Sequence, residues 1–114
     1  MLSVAVLLTA FSAGADQEVV HIRIWPAFSF EPANALVQVS VERDPENRLL
    51  TVSGDSGEFF WRSDRPLDGE SGPRTSAFYC RDLPAGDYEV TAQIFGRDGR
   101  ERAVATRHLR VLPR

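Results

Sequence analysis

From Val19 onward, apolar and polar side chains alternate in short runs, each closed by Gly, Pro, Asp or Asn. Successive strand residues point to opposite faces, so Val19–Trp25 sets Val20, Ile22 and Ile24 against Val19, His21 and Arg23. Pro26 has no N–H for a ladder and stops this strand. Phe28, Phe30 and Pro32 continue as an extended, edge-covering stretch. Ala35–Glu42 has the cleanest period of two, with Val37, Val39 and Val41 on one face. Asp44–Asn47 is a turn, and Leu49–Ser53 returns as the second arm of a hairpin. Gly54–Gly57 reads as another turn, followed by a strand over Glu58–Arg62 that carries Phe59, Phe60 and Trp61. Asp64–Arg74, with two Pro and two Gly, reads as a polar loop.

Thr75–Arg81 is the next strand, with Phe78 and Cys80 on one face. Leu83-Pro84-Ala85-Gly86 leads into Asp87–Phe95, where Tyr88, Val90, Ala92 and Ile94 alternate with polar neighbours. Gly96–Gly99 ends in Asp-Gly and makes a hairpin turn. Arg102–Leu112 closes the chain, with a change of phase near Arg107 that predicts a bulge. No stretch carries a sustained 3.6-residue apolar period. About seven short strands with frequent Gly and Pro turns predict an all-β sandwich or barrel.

The stretch Leu83-Pro84-Ala85-Gly86-Asp87-Tyr88 resembles the corner before the penultimate strand of fibronectin type III and immunoglobulin-like domains. That resemblance implies a single sandwich of about seven antiparallel strands. It also implies a structural tyrosine corner built from Leu83, Gly86 and Tyr88, in which the phenol bonds to backbone a few residues upstream. The pattern departs from those families in having no Cys pair and in lacking a Trp on the Ala35–Glu42 strand.

The chain has 114 residues, enough for one core. Leu2–Ala13 is apolar and uncharged, and Ala13-Gly14-Ala15 spells a small-x-small cleavage site before polar Asp16. Residues 1–15 therefore read as a signal peptide and 16–114 as the sandwich domain, exported to the periplasm or exterior. The apolar run is shorter than the ~20 residues a membrane span requires. A net charge of −3 supplies no basic footprint for nucleic acid. All thirteen basic residues are Arg. The single Cys80 excludes an internal disulfide and reads as a buried thiol.

Candidate chemistry is sparse. Gly54-Asp55-Ser56-Gly57 spells a hydrolase-like nucleophile block, but a tight turn uses the same residues, and only His21 and His108 exist as bases. These two His lack a third ligand at a fixed spacing, so no metal site is assigned. The turn acids Asp55, Asp64, Asp68, Asp82 and Asp87 show no calcium-loop spacing. No cofactor is expected. The aromatics remain: Trp25, Phe60 and Trp61 are the candidate binding residues, because exposed aromatics anchor protein or glycan partners. The resulting expectation is an exported, non-enzymatic interaction module, with a carbohydrate-binding module as the alternative.

Overall fold

The computed structural model describes residues 19–114. The proposed signal peptide over residues 1–15 lies outside them. The strands are β1 (Val20–Trp25), β2 (Phe28–Phe30), β3 (Ala33–Val41), β4 (Asn47–Asp55), β5 (Phe60–Pro66), β6 (Thr75–Leu83), β7 (Gly86–Gly96) and β8 (Glu101–Leu112). A short 3-10 turn, Gly69–Ser71, lies between β5 and β6. Two sheets result: a three-stranded one ordered β1-β3-β6 and a five-stranded one ordered β2-β8-β7-β4-β5. The chain crosses between sheets at Pro26 and Ala27, where the missing N–H ends the β1 ladder.

The architecture is all-β, as the alternation predicts, but it departs from seven antiparallel strands. Among the described residues there are eight, and β2 runs parallel to β8 with Phe28 opposite Arg110 and Phe30 opposite Leu112. β4 and β5 are also longer than their apolar patterns. β4 extends through Gly54 and Asp55, opposite Trp61 and Phe60. β5 continues to Pro66 through the stretch read as a loop, with Leu67 buried behind it and its N–H on the Arg48 carbonyl at 2.9 Å.

The core lies between the sheets. Ile22, Val37, Val39 and Phe78 from one sheet meet Leu50, Val52, Val90, Ile94 and Leu109 from the other, all buried. Each fully buried Val, Leu or Ile contributes about 1.5–3 kcal/mol. Tyr88 is fully buried, and its hydroxyl donates to the Pro84 carbonyl at 2.7 Å. Phe59 packs edge-on to the Tyr88 ring at 6.3 Å.

The two sheets are not laced together at their sides. β2 covers the outer edge of β8 only at Arg110–Leu112, so the rest of that edge faces β1 with no ladder between them. On the opposite side β5 faces β6 in the same way. Each seam carries an arginine in the inward phase of its strand: Arg65 opposite Leu50, and Arg107 opposite Val90. This explains the phase change near Arg107 without the expected bulge. The register of β7 with β8 is continuous there and shifts only at Ile94/Phe95. Because the seam is open, an inward-phase side chain still reaches water.

Candidate functional site

Strand register builds an aromatic row on the outer face of the three-stranded sheet. Trp25 on β1 lies opposite Leu36 on β3, and Leu36 lies opposite Tyr79 on β6. Directly opposed residues share a face, so the three side chains stand in line across the sheet. Trp25 is 77% exposed and Tyr79 74%, with Leu36 half-buried between them. The concavity over this row has a volume of about 630 Å³ and is lined also by Pro26, Asn34, Arg81 and Asp82. The Asn34 side-chain oxygen accepts from the Asp82 amide at 3.1 Å, which ties the β3 end of the rim to β6. Asp82 sits at a positive φ of 56° and ends the regular alternation of β6.

Trp25 also walls a second cleft, of about 560 Å³, in the seam between β1 and β8. Ile22, Ile24, Ala27 and Leu36 give it apolar surface, while Arg23, Gln38, Arg107 and His108 supply the polar groups. The two concavities meet at Trp25 and Leu36. Among the described residues, neither Arg23 nor Arg107 makes an ion pair or a side-chain hydrogen bond.

The three aromatic residues singled out by sequence are not brought together. Phe60 is 59% exposed but lies opposite Asp55, on the outer face of the five-stranded sheet. Trp61 points inward and packs on the core, with its indole over Gly54 and its Nε1 buried without a partner. Trp25 alone belongs to the exposed row. Its partner Tyr79 was missed because β6 was read for its inward face, Phe78 and Cys80. Yet Trp25, Leu36 and Tyr79 all occupy outward phases, so the strand alternation itself carried the signal.

The other candidates serve local structure. The Asp55 carboxylate accepts from the Gly57 amide at 2.8 Å, and the Ser56 hydroxyl from the Phe59 amide at 3.1 Å, so the hydrolase-like spelling is the end of β4 and the turn after it. Asp64 pairs with Arg62 at 3.1 Å and Asp87 with Arg110 at 2.8 Å. The Arg62 guanidinium holds the exposed Asp64 carboxyl below its ordinary range. Burial pushes the Cys80 thiol up to about 11, so it stays neutral in the folded protein at ordinary pH.

No family model and no curated protein sequence matches the chain. Among solved structures, it is similar to a superoxide reductase (neelaredoxin) from Ignicoccus hospitalis. The TM-score is 0.63 at 15% identity, over 82% of this chain and 80% of that one. The two share a fold. This finding replaces the expected fibronectin type III or immunoglobulin-like resemblance. It also overturns the non-enzymatic interaction module and its keywords, which leaned on that resemblance, since an enzyme carries this fold. The carbohydrate-binding alternative fares no better, because its three aromatics point to three different surroundings.

A reductase of superoxide transfers electrons singly, which calls for a redox-active centre such as a transition metal on imidazole or thiolate ligands. His21 lies on the outer face of the three-stranded sheet, opposite Ser40. His108 lies on the outer face of the other sheet, opposite Glu89. Cys80 faces the core. Among the described residues no group of three or more His, Cys, Asp or Glu converges to hold a metal ion. These side chains do not fit such a centre. No helix among the described residues is long and apolar enough to cross a membrane.

Proposed function

We propose that this protein binds a small molecule with a planar aromatic ring, held between Trp25 and Tyr79 over Leu36. The observation that carries this reading is the register that places the three side chains in line across β1, β3 and β6. Strands lie about 4.8 Å apart, so β1 and β6 are separated by about 9.6 Å across β3. A flat ring in van der Waals contact on both sides takes about 7–8 Å of that width. Leu36 supplies an apolar floor, and the Asn34 and Gln38 amides on the same face of β3 offer polar contacts to ring substituents. Two large aromatics this exposed leave apolar surface in water, and stacking a ligand on them removes it.

Titrating planar heteroaromatics such as adenosine against tryptophan fluorescence tests the reading. Saturable quenching is expected in the wild type. Tyr79→Ala removes one wall, worth about 0.5–1.5 kcal/mol, and should weaken Kd roughly two- to tenfold. Trp25→Phe keeps a ring and should retain most of the affinity by calorimetry, whereas Trp25→Ala should not. Equal affinity in all four proteins contradicts the reading.

A further inference from the structure

We infer that the ligand of the Trp25–Tyr79 row carries an anionic arm, and that Arg107 in the seam between β1 and β8 receives it. The inference rests on the ring-binding reading above.

The two seams use one device differently. Both hold an arginine in the inward phase of a strand, where a core residue belongs by alternation. At the β5/β6 seam the charge is used within the protein. The Arg65 guanidinium lies 4.3 Å from the centre of the Phe78 ring, and it donates to the Ala77 carbonyl at 3.4 Å. A cation over an aromatic face is stabilised by the ring quadrupole, so the Arg65 charge is already engaged within its seam.

At the β1/β8 seam the same device has no ion-pair or side-chain hydrogen-bond partner among the described residues. Arg107 stands between Ala105 and Leu109 in the inward phase, opposite the fully buried Val90. Across the seam it shares its concavities with apolar Ile22 and Ile24 and with the polar side chains of His21, Arg23 and Gln38. Among the described residues no carboxylate lines either concavity of this seam. Two guanidiniums on one cleft repel each other when empty and favour an anion between them. Guanidinium is also the side-chain group best matched to carboxylate or phosphate, through paired N–H donors.

The cleft joins the aromatic row at Trp25 and Leu36. A molecule whose ring lies between Trp25 and Tyr79 can therefore send a flexible arm past Trp25 and Leu36 into the seam cleft that Arg107 lines. The ligand class this describes is a planar aromatic ring bearing a phosphate or carboxylate on a short arm. Arg23, which lines the seam cleft but not the concavity over the aromatic row, adds positive potential without being the terminus of the path.

Adenosine and adenosine monophosphate differ by the phosphate alone and serve as the probe pair, with Kd measured by calorimetry at low salt. The monophosphate is expected to bind about tenfold more tightly, the scale of one charge-assisted hydrogen-bonded contact. Arg107→Ala should reduce that advantage to below twofold, chiefly by weakening the monophosphate. Arg107→Lys should keep part of it, and Arg97→Ala, in the exposed turn after β7, should leave it whole. The advantage should also shrink as salt is raised. Equal binding of both probes by the wild type overturns the inference, as does an advantage that survives Arg107→Ala. Binding of neither probe sinks the ring site and, with it, the arginine's role.

Discussion

Cys80 shows how one residue's environment sets its chemistry. Its side chain faces the core from β6, and burial raises its thiol from about 9 to about 11. The thiolate is the reactive form, so alkylation of the native protein at pH 8 is expected to be slow, with rapid labelling only after unfolding. The sign of the shift also fixes a pH dependence. A group whose pKa is raised on folding contributes its stability below the unfolded value and loses it as pH climbs through the folded one. The contribution of Cys80 is thus intact below pH 9 and fades toward pH 11. A melting temperature that falls over this window in the wild type, but falls less in Cys80→Ala, is the expected result. Fast native-state labelling at pH 8 would contradict it. At this scale the sequence was largely legible, because alternation beside Phe78 points Cys80 inward without any knowledge of its partners.

At the scale of elements, β4 and β5 show where local pattern gives way to tertiary packing. Gly54 reads as a turn residue, yet it sits inside β4 because the Trp61 indole needs the space a side chain would fill. A Cβ at Gly54 would lie 2.5 Å from Trp61 Nε1 and Cε2. Gly54→Ala therefore forces the indole off the strand, at a cost of about 1–3 kcal/mol for an overpacked site. The expected readout is a lower denaturation midpoint together with a red shift of tryptophan emission; an unchanged midpoint and spectrum would refute this account of Gly54. The extension of β5 has a similar origin. Ser63 and Arg65 do not look like core residues, but Ser63 opposes Val52 and Arg65 reaches across to Phe78. Both relationships lie far apart in sequence and leave no local signature. The crossover at Pro26 was legible as the end of a strand, but not as a change of sheet that brings β2 parallel to β8.

For the whole molecule, the all-β class and most strand positions follow from the period of two, whereas the pairing of the strands does not. That is why the resemblance drawn from the Leu83–Tyr88 corner pointed to the wrong relatives. A buried tyrosine bonded to the Pro84 carbonyl pins one corner, and one corner leaves the rest of the topology open. The candidate site was half legible for the same reason. Trp25 is conspicuous by itself, but Tyr79 becomes its neighbour only once β3 is placed between β1 and β6.

The charges also separate by face. The outward positions around the aromatic row include Arg23 and Arg81, with Asp82 at the rim. On the outer face of the five-stranded sheet Arg62 and Arg110 pair with Asp64 and Asp87, while Asp55 and Glu89 have no ion-pair partner among the described residues. A net charge of −3 conceals this division, which favours approach of an anionic ligand to the three-stranded face.

The most direct test of the proposed site is a map of amide chemical-shift changes when isotope-labelled protein is titrated with adenosine monophosphate. The account predicts saturable shifts confined to three stretches of the three-stranded sheet, at 23–27, 34–38 and 79–82, and to residues 105–108 of β8. Shifts centred instead on Phe59–Arg65 and the β5/β6 seam, or no saturable shifts at all, would contradict it.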